Sequence, residues 1–436
     1  MPISRRELIA AGAGSLATSS IPFAARSQPG DTDQIRVGIV VPAATGLSVV
    51  AASINDLIGD AAMQGTLLAD GVVGEEIARS GQLLVTLKAN SPTPDVATRA
   101  GRRLVATERV HALVGGVGEG QAAALSAVAE EAQVPFFNIG SPSLGLRAQC
   151  ARYTFHVEAS AAMYLDAMVS WSEAQGHRRW FVVHPNDQAG EELRTRAVVA
   201  VSRHGGGGEI VGAASAIQRQ PFYGPHFEAA LSSGADAIIV LLSDVDQIVF
   251  VAQQQNLEIG IPNLLFPHPN TQTRDYIAAM RASAPATNPD HRFALWDAML
   301  EEPRAADFNN RYITRWGDPA DPTAWSAYHA VKILHEATQA TGNTDGRAIV
   351  DYLENSGREF DLLKGPGTSF RSWDHQLRQP LYLVRVDQDA IWDRNLPTTR
   401  AGIAEAVETL PAVDDASDRV LALDQFGDGP GDLLCR

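Results

Sequence analysis

Apolar positions along the chain gather in short continuous runs separated by stretches of helical spacing. The first run, IRVGIVVP, is β-branched and ended by Pro42, the pattern of a strand buried on both faces. In DAAMQGTLLADGVV the apolar positions recur as on one face of a helix. QLLVTLKAN predicts a strand, PDVATRAGRRLVATE a helix with Pro94 in its first turn, VHALVGG a strand, EGQAAALSAVAEEAQ a helix and VPFFNIG a strand. The rhythm repeats in RRWFVVHP, NDQAGEELRTRAVVAVSRHG, GGEIVGAAS, FYGPHFEAALSSG, ADAIIVLLS, DVDQIVFVAQQQNLE and IPNLLFP. Strands alternating with helices at this spacing predict an α/β fold: parallel sheets flanked by helices, in two Rossmann-like lobes facing each other across a cleft.

CARYTFHVEAS, between the two sets, reads as an extended connector. After ALWDAML the pattern turns helical through AADFNNRYITRWG, PTAWSAYHAVKILHEATQATG and DGRAIVDYLENSG, and QPLYLVRVD is a last strand that closes the compact part. Residues 396–436, with TLPAVDDASD and FGDGPGD, are expected to form a loosely packed acidic tail.

The 436 residues carry 35 Lys+Arg against 51 Asp+Glu, a formal charge of −16. So acidic a chain repels nucleic-acid phosphates and anionic headgroups, and no nucleic-acid partner is expected. No run of about 18 strongly apolar residues occurs, so no ordinary membrane span is expected. At the start, SRRELI precedes the weakly apolar AAGAGSLATSSIPFAA. Arg5 and Arg6 ahead of such a stretch, with small residues at Ala24 and Ala25, look like a twin-arginine export signal over residues 1–25, against the plainer alternative of a frayed basic terminus. Export of a soluble product follows from the first reading. Cys150 and Cys435 permit one disulfide in an oxidising compartment, two separate buried thiols being the alternative. They lack the spacing of a zinc site or redox motif, and no metal or other cofactor is expected.

GGVGEGQAAA, residues 115–124, contains Gly118-x-Gly120-x-x-Ala123 between a strand and a helix. A dinucleotide site uses such glycines to bring a pyrophosphate to a helix start. Here the strand is the third of its lobe, no acidic residue ends the next one, and Glu119 would sit beside the phosphates. What remains useful is the set of bare backbone N–H groups. His335-Glu336 lacks the second histidine of a zincin, and GSPSLG at 140–145 is not a nucleophile elbow. An enzyme is therefore the last-ranked reading.

Polar residues recur at the carboxyl ends of the strands, the edge where open α/β sheets bind ligands. The first lobe offers Thr45, then Glu119, Gly120 and Gln121, then Ser141 and Ser143. The second offers His184, Asn186 and Asp187, then Ser243, then His268 and Asn270, then Trp296. Ser, Asn and Asp also cap helices for structural reasons, and Tyr153, Phe266 and Trp296 serve equally as core or as cleft walls. The set expected to close around a small-molecule ligand is Thr45, Glu119, Gly120, Gln121, Ser141, Ser143, Asn186, Asp187, Ser243, His268 and Trp296.

VGIVVPAATG, DAAMQGTLLA, VHALVGGVGEGQAAALSAVAEEAQVPFFNIGSPS and WSAYHAVKILHEA together resemble the type I periplasmic solute-binding proteins of ABC importers for branched-chain amino acids and amides. The resemblance runs from about residue 35 to 390. FRSWDHQLRQPLYLVRV, LRAQCARYTFHV and HRRWFVVH are similar to a branch encoded beside pyrroloquinoline quinone-dependent alcohol oxidation systems. The family implies a periplasmic monomer with lobes joined by a three-crossover hinge, lobe 1 spanning 35–153 and about 300–360, lobe 2 spanning 154–299 and about 361–395. It implies ligand-driven closure and delivery to a membrane permease and ATPase; a periplasmic sensor signalling to a membrane partner is the rival. Family members hold an amino acid's carboxylate at positions matching Glu119 to Gln121 and Ser141 to Ser143, and its ammonium on an acid after a late second-lobe strand, where this chain reads FPHPN with His268. Glu119 disfavours an anionic head, and the acid after that strand is missing. A neutral amide, polyol, alcohol-derived metabolite or cation fits these departures better than a zwitterionic amino acid.

Overall fold

The β-branched runs become the inner strands of two parallel sheets. The computed structural model describes residues 34–43, 54–79, 81–284, 291–355, 357–387, 389, 402–413 and 416–431. β1 (Gln34–Val41) lies between β2 (Leu83–Asn90) and β3 (Ala112–Gly115), followed by β4 (Phe136–Asn138) and β5 (Thr154–His156), in the order β2-β1-β3-β4-β5. β1 is almost wholly buried, as a strand covered by helices on both faces must be. Those helices are α1 (Ile54–Arg79), α2 (Pro94–Ala106), α3 (Glu119–Ala132) and the short α4 (Leu144–Ala148).

The second lobe repeats the plan. α5 (Ala161–Ala174) leads into β6 (Arg179–Pro185), α6 (Gln188–His204), β7 (Glu209–Ala216), α7 (Gly224–Ser233), β8 (Ala237–Val240), α8 (Asp244–Asn256) and β9 (Asn263–Leu265). Its sheet runs β7-β6-β8-β9, all parallel. A 3₁₀ turn (Pro269–Gln272), α9 (Arg274–Ser283) and β10 (His291–Ala294) follow. The chain then returns to the first lobe as α10 (Pro303–Trp316), α11 (Pro322–Thr341) and α12 (Gly346–Leu353). α11 lies directly on α1, because Gly65 leaves no side chain between them: a Cβ there would stand 2.1 Å from the Ala324 carbonyl oxygen. After the small antiparallel pair β11 (Ser369–Phe370) and β12 (Leu377–Arg378), β13 (Leu381–Val386) pairs antiparallel with β10.

The chain thus passes between lobes after β5, after β10 and after α12, and buried polar side chains bind the first passage to the third and hold the second against the 3₁₀ turn. Gln376 Nε2 donates to the carbonyls of His156 and Glu158 at 3.2 and 3.0 Å. Gln379 Nε2 donates to the Val157 carbonyl at 2.8 Å. Gln272 Oε1 accepts from the Leu295 backbone at 2.7 Å.

Beyond short elements that the pattern did not predict, such as α4, α9 and β10, three features differ from the sequence-based expectation. CARYTFHVEAS is more than a connector, since its TFH is β5, the edge strand of the first sheet. α5 is missing from the predicted elements because it is buried on nearly every side and has no polar face to mark its period. The acidic tail is not loose. β14 (Ala404–Leu410) extends the β10-β13 sheet, α13 (Ala416–Ala422) follows, and Leu423 and Phe426 are buried. The tail's acids meet arginines of the body, which is why an acidic composition did not leave it solvated. Arg371 donates to the carbonyls of Leu423 and Phe426 and to Asp424. Arg196 grips Asp166 through two bonds of 2.8 and 2.7 Å and reaches Asp428 at 2.9 Å, while the Gly427 N–H donates to Asp166.

Residues 1–25 and Cys435 lie outside the described residues. Cys150 carries no free thiol. Among the described residues no helix is long and apolar enough to cross a membrane.

Asp166 has no exposed surface and rests on Arg196. Replacing Arg196 by Met leaves that carboxylate buried with only the His204 ring, 3.7 Å away, as a basic neighbour, a change that costs about 3–5 kcal/mol. Urea unfolding followed by circular dichroism measures the loss; a change below about 1 kcal/mol, the range of exposed ion pairs, would show that the tail clamp is peripheral.

Candidate functional site

Loops at the carboxyl ends of both sheets line one cavity of about 220 Å³. The strand orders place the reversal of the first sheet between β1 and β3 and of the second between β6 and β8; ligands of open α/β sheets bind outside such reversal points.

The first lobe contributes Val117, Gly118 and Glu119 after β3, Gly140 to Leu144 after β4, and Ile58 from α1. Gly118, with φ of 91°, makes the turn into α3, and no side chain caps that helix. The loop after β4 is shaped from within. Asn138 Oδ1 accepts from the Gly140 and Ser141 backbone at 3.3 and 3.0 Å, and its Nδ2 donates to the Ser141 carbonyl at 2.8 Å. Arg147 Nη1 donates to the Ser141 and Ser143 carbonyls at 2.7 and 3.0 Å. Ser143 Oγ accepts from the Leu146 N–H, capping α4, and donates to Glu119 Oε1 at 2.8 Å.

The second lobe contributes Ala161 from α5, Ala189, Glu192 and Leu193 from α6, Ser243 before α8, and Phe266, His268, Pro269 and Asn270 after β9. Glu192 accepts from Gln188 Nε2 at 2.9 Å. The His268 ring stands edge-on to Phe266 and donates its Nε2–H to the Leu241 carbonyl at 3.2 Å. Burial pushes its pKa down to about 4, so at neutral pH the ring is uncharged. Asn270 is 7% exposed, and its Oδ1 has no hydrogen-bond partner.

The structure gathers Glu119, Ser141, Ser143, Ser243 and His268 around this cavity. Thr45 lies outside the described residues. Gly120 and Asn186 are exposed beside the cavity but not in its lining. Gln121 turns inward, where its Nε2 donates to the Ser91 carbonyl at 2.6 Å. Asp187 caps α6 through the Gly190 N–H. Trp296 is buried against Trp325, rings stacked 5.7 Å apart, because it follows β10 at a passage between lobes. Glu192 and Leu193 were missed. The signal was the spacing of Ala189, Glu192 and Leu193 on one face of α6, but a glutamate in a polar helix reads as solvated until the opposite lobe is in place. Among the described residues, no cluster suits a metal ion.

His268 is joined by His156 and His329, both buried and both held well below the ordinary histidine range by desolvation. Each stays neutral in the folded state and takes a proton only when unfolded as pH falls below about 6.5. Stability contributed by this neutrality is complete above pH 6.5 and is lost between 6.5 and about 4 for His268, with a slope of up to about 1.4 kcal/mol per pH unit and site. The melting temperature should therefore fall through this window, and His268→Asn should flatten the fall. An unchanged slope in that variant would mean that His268 is hydrated.

Residues 88–390 match the model of a family described as periplasmic binding protein. No curated protein sequence matches. Among solved structures, a branched chain amino acid ABC transporter periplasmic ligand-binding protein from Burkholderia xenovorans is 18% identical, with a TM-score of 0.72 over 86% of this chain and 95% of its own. A solute binding protein of an ABC transporter from R. palustris, in complex with 4-hydroxybenzoate, is 16% identical, with a TM-score of 0.68 over 87% of this chain and 97% of its own. The branched-chain amino acid transporter substrate binding protein LivJ from Streptococcus pneumoniae, in complex with isoleucine, is 18% identical, with a TM-score of 0.66 over 86% of this chain and 99% of its own. The matched segment takes in the cavity loops after β3, β4, β8 and β9 and the cavity face of α6, and the chain belongs to the periplasmic binding protein family.

Proposed function

We propose that the protein is an exported receptor that captures a small solute between its lobes and delivers it to the membrane subunits of an ABC importer. The observation that carries this reading is the cavity itself, lined from both lobes at both strand-order reversals. Three passages between the lobes, the first hydrogen-bonded to the third and the second held by Gln272, supply the hinge on which closure would turn. The neighbours are described as transporter binding proteins, two of them holding isoleucine and 4-hydroxybenzoate. Export through residues 1–25 would place the protein in the periplasm, and the family resemblance implies a monomer. The reading is of a binding protein rather than an enzyme. Resemblance to the quinone-associated branch rests on the sequence alone.

A ligand that binds only the folded state raises its stability by about 2.7 kcal/mol at a hundred times its Kd. The mature chain should therefore show a concentration-dependent rise in melting temperature with one member of a panel of amino acids, benzoates, amides, polyols and amines, and a smaller radius of gyration in solution scattering. Ala189 is exposed at the cavity, so Ala189→Trp should abolish both responses with little effect on the empty protein. Responses that persist in this variant would place the ligand elsewhere.

Replacing Ser141 and Ser143 together by Ala separates two roles. Loss of the α4 cap costs the empty protein about 1 kcal/mol. Weakened ligand binding beyond that loss, read by calorimetry, would come from the missing hydroxyls; unchanged affinity would make both serines purely structural.

A further inference from the structure

Resting on the capture reading, the cavity's charge inventory is one-sided. Glu119 stands on the first lobe and Glu192 on the second, and no lysine or arginine lines the space with them. Among the described residues neither glutamate forms an ion pair: Glu119 accepts from a serine hydroxyl and Glu192 from a glutamine amide. Arg147, beneath the loop that carries Ser141 and Ser143, donates to backbone carbonyls and Gln376, and Arg194 on α6 pairs with Glu191. Residues 44–53, between β1 and α1, add no Lys, Arg or His by sequence. His268 lines the cavity as a neutral ring. Asn270, more than nine-tenths buried, belongs to the same lining, and its side-chain oxygen, buried too, has no hydrogen-bond partner. Two features favour an anion, the uncapped starts of α3 and α8, but Glu119 occupies the first turn of the one and Asp244 and Asp246 that of the other, and these acids offset the helix fields at their source. Apart from Ser141, Ser143 and Ser243, the remaining side chains of the lining are apolar, with Ile58, Val117, Leu144, Leu193 and Phe266 among its walls.

We propose that the ligand is an organic cation, a protonated amine without a carboxylate, carried on a short apolar or aromatic body. The ammonium supplies the positive charge that Glu119 and Glu192 lack, and closure brings the two carboxylates, one from each lobe, towards it. Without that charge, closing the lobes would bring like charges together; with it, the ligand becomes the condition for closure. The apolar walls receive the body, and nothing in the lining neutralises a carboxylate on the ligand. This sets the cavity apart from one built for an amino acid or an aromatic acid.

The test compares compounds of matched shape on the mature protein by thermal shift and calorimetry: phenethylamine, 2-phenylethanol and 3-phenylpropanoate, then isopentylamine and leucine. The amines should bind, and their carboxylate and alcohol counterparts should bind at least tenfold more weakly. Glu192 is half-buried on a helix face, so Glu192→Gln should leave the empty protein's melting temperature unchanged and weaken amine binding at least tenfold, with a smaller loss at raised salt. Leucine, 3-phenylpropanoate or 2-phenylethanol binding as tightly as the amines would overturn the inference and leave the capture reading standing. So would amine affinity that Glu192→Gln does not change. Failure of every compound here, and of the wider solute panel, to shift melting or scattering would overturn both.

Discussion

A single guanidinium ties the binding loop of this molecule to its hinge. Arg147 is buried, and donates to the carbonyls of Ser141 and Ser143, to the carbonyl of Glu158 and to the side-chain oxygen of Gln376. Ser141 and Ser143 belong to the cavity, Glu158 to the first passage between lobes and Gln376 to the third. Burial pushes the arginine's pKa down to about 10, which leaves it charged at neutral pH. Planar, with five donors in a fixed fork, this group can serve three chain segments at once where a lysine could not. Its bonds are to backbone oxygens and an amide, so the segments are held by geometry without introducing a compensating acid at the cavity.

Other buried polar groups repeat the device around the hinge. Lys364 Nζ donates to Gln379 Oε1 at 2.7 Å and to the Pro380 carbonyl, and Gln379 in turn holds the Val157 carbonyl. Tyr164 donates to Glu158 and receives from Gln272, which also holds the Leu295 backbone. Burial pushes Glu158 up to about 7 and Lys364 well below the lysine range. Passages between lobes expose backbone that no sheet or helix satisfies, and side-chain amides from neighbouring passages supply the missing partners. Apolar packing takes over at the second passage, where Trp296 stacks on Trp325 and Trp325 Nε1 donates to the Leu362 carbonyl.

Legibility in the sequence followed how local each constraint is. Strand and helix alternation is written in consecutive residues, and so are the glycine turn into α3 and the polar residues after each strand. That much placed Glu119, Ser141, Ser143, Ser243 and His268 near one edge. Long-range partners decided the rest. Gln121 and Trp296 look like ligand contacts in isolation, but Ser91 and Trp325, far away in sequence, claim them. Glu192 looks solvated until the opposite lobe is placed before it. The tail's acids looked like disorder because the arginines that bind them, Arg196 and Arg371, lie about 230 and 50 residues away in sequence.

The second lobe shows how a residue misassigned as a contact still governs the site. Asp187 does not line the cavity, but its carboxylate accepts from the Gly190 N–H at 2.8 Å and fixes where α6 begins. The helix start sets the rotation of everything after it. Ala189, Glu192 and Leu193 are spaced i, i+3, i+4 from that start, which puts a small residue, a carboxylate and an apolar side chain on the one face that meets the first lobe. A start displaced by one residue would turn this face by about 100° and carry the carboxylate away from the cleft. The first lobe secures its half differently, through a loop held by Asn138 and Arg147. One half of the site is therefore fixed by side chains that grip a backbone loop, the other by the phase of a helix, and the hinge has only to bring two preformed surfaces together.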